Sequence, residues 1–291
     1  MEPGRIVKGV GGFYTVQLAD GHTVTCRARG RFRREKCTPL VGDYVEVLPQ
    51  DSGDWAIQRI LPRKNALVRP PVSNIDQLIV VLAASAPAPD WLLVDKLLLA
   101  ASMLGVSPVL VLNKLDEADE DITRTFLSEY GAFQSHCIST ATGEGLDALS
   151  ERLPGKTTCL AGQSAVGKSS LVNALLPALM LDVGALSEKT ERGRHTTRHA
   201  ELIPYRGGML VDTPGFSLLD AETVTQAQLD HSYPEFADAP TRCRFAGCSH
   251  IAEPDCAVKE RYAQGRIPPG RYARYVTLYQ DIEQRRKNTY D

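Results

Sequence analysis

Residues 162–169 read Gly-Gln-Ser-Ala-Val-Gly-Lys-Ser, and no other stretch of the chain limits its fold so tightly. The segment fits G-x-x-x-x-G-K-[ST], a loop whose inward-turned backbone N–H groups surround a phosphate at a helix N-terminus. The flanks suit it. Thr157 to Ala161 reads as a short strand before it, and Ser170 to Leu176 reads as a helix after it. A chain carrying this loop must supply a strand–loop–helix unit, and therefore a mostly parallel sheet with helices. The loop residues Gly162, Gln163, Ser164, Ala165, Val166, Gly167, Lys168, Ser169 and Ser170 are expected to hold the phosphates. Lys168 reaches the β- and γ-phosphates, and the Ser169 hydroxyl takes a Mg²⁺ ion.

Two further segments decide which nucleotide. Val109-Leu-Val-Leu112 is a buried strand that runs into Asn113-Lys114-Leu115-Asp116. The Asp116 carboxylate can accept two hydrogen bonds from guanine, at N1–H and the 2-amino group, and adenine offers no such pair. The expected ligand is GTP rather than ATP. Ser139-Thr140-Ala141 reads as the supporting guanine loop. Asp212-Thr213-Pro214-Gly215 follows the strand Met209 to Val211, placing a carboxylate to hold Mg²⁺ through water and the Gly215 N–H to sense a γ-phosphate. The order of these segments is unusual. The base-selecting residues come first, then the guanine loop, then the phosphate loop, then Asp212 to Gly215. The arrangement is a circular permutation, which a sheet with neighbouring termini tolerates.

Between the phosphate loop and Asp212 lies the polar run Gly193-Arg-His-Thr-Thr-Arg198. A threonine here completes the Mg²⁺ shell in the triphosphate state, Thr197 or Thr196. The position after Gly215 is Phe216, whose apolar side chain cannot orient an attacking water. Intrinsic hydrolysis should be slow, with a partner arranging the missing group. His195 is the nearest candidate base, or else a contact to phosphate or RNA.

The flanks differ from this centre. Residues 1–68 hold 11 Lys and Arg against 7 Asp and Glu, and residues 257–291 hold 8 against 4, while residues 69–256 hold 14 against 24. Two basic flanks around an acidic centre point to a polyanionic partner, RNA above all. The first flank reads as short strands, Arg5–Val10, Phe13–Leu18, Thr23–Arg27 and Tyr44–Leu48, with turn signals at Gly11-Gly12 and Asp20-Gly21. That pattern makes a small barrel, OB-like, although strand counting alone also allows an SH3-like one. Arg27, Arg29, Arg31, Arg33, Arg34 and Lys36 then form a cationic face for RNA, with Phe32 as a ring able to stack. Arg69-Pro70-Pro71 reads as a linker. At the other end, Arg271, Arg274, Arg285, Arg286 and Lys287 are candidates for a second contact.

Seven cysteines are an odd number, against a secreted disulfide framework. Cys243, Cys248, His250 and Cys256 lie within fourteen residues and match a closed tetrahedral Zn²⁺ site, structural rather than catalytic. Trp91 to Leu104 is apolar enough for a helix, but Asp95 and Lys96 interrupt it and exclude a membrane span. The N-terminus lacks a signal-peptide pattern. A cytoplasmic protein acting as a monomer is the expectation.

With the permuted order of motifs and the Cys3His cluster behind them, the chain resembles the RsgA family of ribosome small-subunit-dependent GTPases, also called YjeQ-like. The resemblance spans the whole chain. It implies an N-terminal OB-fold RNA-binding domain (residues 1–68), a central permuted P-loop GTPase domain (69–228) and a C-terminal helical zinc-binding domain (229–291). It implies GTP hydrolysis stimulated by the small ribosomal subunit late in its maturation, with binding near the decoding region. The sequence departs from the family at Ala165, where glycine is usual, and at Thr140, where alanine is common. The alternative reading is an RNA-binding assembly clamp in which the nucleotide is mainly structural.

Overall fold

The computed structural model describes residues 1–28, 30, 32, 37–50, 54–67, 70–176, 200–212 and 224–290. In chain order the strands are β1 (Glu2–Val10), β2 (Phe13–Leu18), β3 (Thr23–Ala28), β4 (Tyr44–Pro49), β5 (Trp55–Ile60), β6 (Ala66–Leu67), β7 (Val72–Ser73), β8 (Gln77–Ala83), β9 (Ser107–Asn113), β10 (Ser135–Cys137), β11 (Thr157–Ala161), β12 (Glu201–Tyr205) and β13 (Gly208–Asp212). The helices are α1 (Trp91–Leu104), α2 (Glu120–Glu129), α3 (Leu146–Ser150), α4 (Lys168–Leu175), α5 (Gln226–His231), α6 (Ala257–Ala263) and α7 (Pro269–Tyr290). They fall into two compact units, one of Met1–Ile79, Leu146–Ala161 and Lys168–Ser217, the other of Val80–Gly145, Gly162–Gly167 and Leu218–Asp291.

The first unit contains the barrel. β1 pairs with β2 and β2 with β3, both antiparallel. β3 then pairs with β5 in parallel, β5 with β4 antiparallel, and β4 returns to β1. This closed order, with one parallel contact, is the five-stranded Greek-key arrangement of an OB-fold. Ile6, Val16, Cys26, Val45, Val47 and Ile57 point inward and are fully buried. Phe32 joins them at 5% exposure, which corrects its expected role. Burying that ring stabilises the barrel interior by about 2 kcal/mol or more, so the ring is not offered to a ligand. Pro70 and Pro71 sit in the turn between β6 and β7, whose strands pair at Ala66↔Ser73, so this break closes a short hairpin instead of forming an open linker. The hairpin is pinned by the buried Asp43, which accepts from the Ser73 hydroxyl at 2.6 Å and Arg63 Nε at 2.7 Å. In the same unit β11 runs parallel to β13, β12 antiparallel to β13, and β12 meets β1 where Lys8 pairs with Glu201 at 2.7 Å.

The second unit holds the strand order β10-β9-β8. Every residue of β8 is buried, the run expected of a strand covered on both faces. Helix α1 starts where the Asp90 side chain accepts from the Leu93 amide at 2.9 Å, and stops at Gly105 in the left-handed conformation. Its buried face packs on α5 and α7. Leu99 of α1 belongs to the same apolar cluster as Leu229, Tyr233, Phe236, Val258, Ile267, Tyr275 and Leu278.

One charged group lies inside that packing. Asp95 of α1 is 1% exposed and accepts from Arg271 Nη1 at 2.5 Å, Arg274 Nε at 2.8 Å and the Tyr130 hydroxyl at 2.7 Å. Arg271 also grips Glu235 through two bonds of 2.9 and 3.2 Å and lies 4.1 Å over the Tyr233 ring. Arg274 reaches Glu129 at 2.5 Å. Arg271 is fully buried and Arg274 nearly so, and both are committed to carboxylates, so neither is the RNA contact that sequence composition suggested. Among the described residues no helix is long and apolar enough to cross a membrane.

Candidate functional site

The phosphate loop leaves the fully buried strand β11 at Gly162, whose φ is +138°, and ends at Gly167 with φ +94°. Both glycines are demanded by close approach as well as by conformation. A Cβ at 162 would overlap the Val81 carbonyl of β8, and one at 167 would overlap the Asn113 side-chain amide. Between them Val166 is buried, while Ser164 and Ala165 are exposed. Ala165 has φ +64°, a left-handed backbone that costs an alanine about 1 kcal/mol. Gln163 is tied sideways. Its Oε1 accepts from the Asp90 amide at 2.8 Å and its Nε2 donates to the Ala88 carbonyl at 3.3 Å. Its anchoring role was invisible in the motif, where that position is unrestricted.

Asn113 joins this loop to the base-selecting segments. It is fully buried, donates from Nδ2 to the Val166 carbonyl at 3.0 Å, and accepts at Oδ1 from the Thr140 amide at 3.1 Å. A fully buried amide with both ends satisfied holds the two loops in register. Lys114 takes a left-handed conformation (φ 64°) and sends Nζ to the Ala86 carbonyl at 2.6 Å. The turn it makes starts the 3-10 segment Leu115–Glu117, with the Leu115 amide bonded to the Ile138 carbonyl at 3.1 Å. Asp116 is exposed, as a base-reading carboxylate must be, and its Oδ1 accepts from the buried Ser139 hydroxyl at 2.5 Å. The same Ser139 oxygen accepts from the amides of Ala141 at 3.2 Å and Thr142 at 3.1 Å. One hydroxyl thus shapes the 139–142 loop and aims the carboxylate. The predicted residues Asn113, Lys114, Leu115, Asp116, Ser139, Thr140, Ala141 and 162–167 lie together in one unit.

Lys168, Ser169 and Ser170 form the first turn of α4, directly after Gly167. Partial burial lowers the Lys168 ammonium from its ordinary value, because desolvation disfavours the charged form. Asp212 is the last residue of β13. Gly215, His195, Thr196 and Thr197 lie outside the described residues, as do Arg29, Arg31, Arg33, Arg34 and Lys36. Arg27 is described: it projects from β3, and its guanidinium lies 4.7 Å over the ring of Phe13, its register partner on β2. Phe13 is 46% exposed, so the open ring of this face is Phe13 and not Phe32.

The second constellation is the cysteine–histidine cluster. The ligand atoms of Cys243, Cys248, His250 and Cys256 all lie within 4.8 Å of one another. Cys243 Sγ is 3.5 Å from His250 Nδ1 and 3.8 Å from Cys256 Sγ, and His250 Nδ1 is 3.4 Å from Cys256 Sγ. A tetrahedral zinc ion with bonds of about 2.3 Å to sulfur and about 2.0 Å to nitrogen requires edges of about 3.8 and 3.5 Å. Cys243, His250 and Cys256 match these edges, and Cys248, its sulfur within 4.8 Å of the other ligand atoms, completes a donor set that suits such an ion. The other ring nitrogen of His250, Nε2, faces Asp230 Oδ2 at 3.3 Å, and Asp230 in turn accepts from the Tyr275 hydroxyl at 2.8 Å. A carboxylate behind the ligating imidazole orients its ring and raises its basicity. Asp230 lies 13 residues before the first ligand, outside the compact motif that revealed the other four. Burial pushes the Cys248 thiol up, while at Cys256 the same burial is outweighed by the Lys259 amide, His250 and the other thiols, which draw its thiol below the ordinary value. Glu253 braces the loop by accepting from the Ser249 amide and hydroxyl, each at 2.8 Å. Although burial opposes ionisation, these bonds hold its carboxyl at about 2.

Comparison with known proteins agrees with this geometry. The family described as RsgA GTPase matches residues 60–222, and the RsgA N-terminal domain matches residues 3–57. The small ribosomal subunit biogenesis GTPase RsgA of Agathobacter rectalis is 42% identical over 98% of this chain and 99% of its own. The protein of the same name from Halalkalibacterium halodurans is 40% identical over the whole of both chains. Among solved structures, YjeQ from Thermotoga maritima superposes with a TM-score of 0.83 at 36% identity, covering 97% of this chain and 98% of that one. YloQ, a circularly permuted GTPase, gives 0.81 at 33% identity, covering 98% of this chain and 96% of its own. Two family models that together span residues 3–222 and relatives about 40% identical along nearly the whole chain agree: the chain belongs to the RsgA GTPase family.

Proposed function

We propose that this GTPase acts in maturation of the small ribosomal subunit, docking on its rRNA and hydrolysing GTP when the subunit triggers it. The observation that carries the reading is the linked set Asp116–Ser139 and Asn113–Val166, which aims a carboxylate at a guanine edge and holds the phosphate loop at the same time. Asp116 accepts from guanine N1–H and the 2-amino group. Lys114 and Leu115 flank the base, and Ser139, Thr140 and Ala141 support it. The amides of Gly162 to Gly167 and the first turn of α4 surround the phosphates, where Lys168 neutralises charge developing on the transferred group. Ser169 holds Mg²⁺ with Thr197 or Thr196, and Asp212 supports it through water. Mg²⁺ supplies neutralisation of the β- and γ-oxygens. The Gly215 amide senses the γ-phosphate, and His195 serves the attacking water. Cys243, Cys248, His250 and Cys256 hold one structural Zn²⁺. Arg27, Arg29, Arg31, Arg33, Arg34 and Lys36 bind rRNA on the barrel. The working division is residues 1–68, 69–228 and 229–291, and the protein works as a cytoplasmic monomer.

GTP turnover measured with and without purified small ribosomal subunits, at two salt concentrations, tests the reading. A large rise that fades with salt is the expected result, because phosphate contacts release counterions. Turnover unchanged by subunits would remove the ribosomal trigger and leave only a GTPase. Lys168→Ala should abolish the stimulated rate, and near-normal turnover in that variant would refute the assigned role.

A further inference from the structure

Of the chain's seven phenylalanines, two stand out among the described residues for exposing their rings: Phe13 on the barrel and Phe245 in the C-terminal module. Phe245 lies in the loop Arg244-Phe-Ala-Gly247, whose two ends are the cluster residues Cys243 and Cys248. The loop is therefore clamped at both ends by the cluster. Its backbone is tied further where the Arg244 amide meets the Asp255 carbonyl at 3.4 Å. Phe245 is 43% exposed, and the guanidinium of Arg244 lies 5.4 Å over its ring. Arg244 is held in place by Asp255 at 2.6 Å, with the two side chains 65% and 63% exposed. Arg242, the residue before Cys243, is paired with Asp238 at 3.2 Å and is also open to solvent. Neither ion pair is buried, so exchanging a carboxylate for a phosphate costs little.

An aromatic ring in water with a guanidinium already stacked on it, on a loop that cannot collapse, suits one ligand chemistry well. A nucleobase in a single strand has an open π-face, stacks on either a ring or a guanidinium plane, and brings a phosphate within reach of the arginines. A base inside a duplex has no free face, and the deep groove of an RNA helix hides its edges from side chains. A protein partner would instead seat the phenylalanine in an apolar pocket, where the capping cation would have to be desolvated. We propose that Phe245 and Arg244 form a stacking site for an unpaired RNA base, presented by the cysteine–histidine loop. The proposal rests on the ribosomal reading for the source of that RNA.

The test uses the full metal-loaded chain and three variants, Phe245→Ala, Phe245→Leu and Phe245→Tyr, with bound zinc and thermal unfolding confirming an intact module. Binding is measured to purified small subunits and to their protein-free rRNA. Phe245→Ala should weaken both by about 5- to 100-fold. Phe245→Leu should fall with it, because leucine keeps the apolar surface but loses the π-face, and Phe245→Tyr should restore binding. Unchanged binding of the alanine variant overturns the proposal. So does full rescue by leucine, which would assign an apolar contact, and so does a loss confined to subunits, which would assign a ribosomal protein. A wild-type chain that ignores subunits yet binds their naked RNA through Phe245 supports the stacking site and overturns the ribosomal reading instead.

Discussion

The nucleotide cradle and the cysteine–histidine module are built on opposite principles. The cradle's loops are held in place by hydrogen bonds among their own side chains and amides, with no ligand needed to complete them. Asn113 is satisfied at both ends, and Ser139 serves a carboxylate and two amides at once. The cluster instead gathers three thiols and an imidazole so closely that they make sense only around a cation. Losing GTP should therefore leave the cradle standing, whereas losing the metal should take away part of the fold. The module also has supports that need no metal, among them the buried carboxylate–guanidinium network from Asp95 to Arg271 and Arg274.

Metal removal should have the largest effect. A structural zinc ion contributes on the order of 10 kcal/mol to a module of this kind. Chelation, or Cys248→Ser, should expose the segment from Cys243 to Cys256 to protease while GTP affinity stays near normal. Loss of GTP binding in step with the metal would erase the distinction between the two regions. Arg271→Met comes next. It takes the arginine from Glu235 and leaves Asp95 with Arg274 alone, and breaking a buried ion network costs about 3–5 kcal/mol, readable as a fall in the urea midpoint. An unchanged midpoint would mean that the ion network adds nothing to the module's stability.

Asp116→Asn probes the cradle from the ligand's side. It turns an acceptor into a donor, so GTP affinity should fall by about 100-fold or more and preference should pass to xanthosine triphosphate, whose 2-oxo group accepts. The melting temperature should barely move, since Asp116 is exposed. Ala165→Gly should have the smallest effect. Glycine relieves the left-handed strain but loosens the unfolded chain, leaving a net gain of about 1 kcal/mol or less. A shift of several kcal/mol would show the loop to be far more strained than its hydrogen bonds suggest.

How much of this was readable in the chain follows from how local each feature is. The phosphate loop, Asn113 to Asp116 and the four cluster residues act through geometry set within a few residues, and each stood out as a short pattern. The same holds for α1, bounded by an Asp cap and a Gly stop. Other features depend on which distant segments meet. Gln163 was one residue in a permissive motif until the fold brought the Asp90 amide to it, 73 residues away. Arg271 looked like an RNA contact because composition cannot report that a carboxylate 176 residues earlier waits for it. Phe32 reads as the stacking ring because it lies among arginines, but barrel closure turns it inward and leaves Phe13 open.

The sequence by itself determined which functional groups are present and in what order: Asn113 to Asp116, the Gly162 to Ser169 loop, three thiols and an imidazole within fourteen residues, and the permuted order that links them. These rest on functional groups and short backbone paths, which a linear string states directly. The tertiary structure alone decided which charges are available to a partner and which are consumed inside, because burial is a property of packing between segments far apart in the chain. Asp95 is the clearest case. In the sequence it is the charge that excludes a membrane helix, and in the fold it is the buried anchor on which the C-terminal helix is fastened.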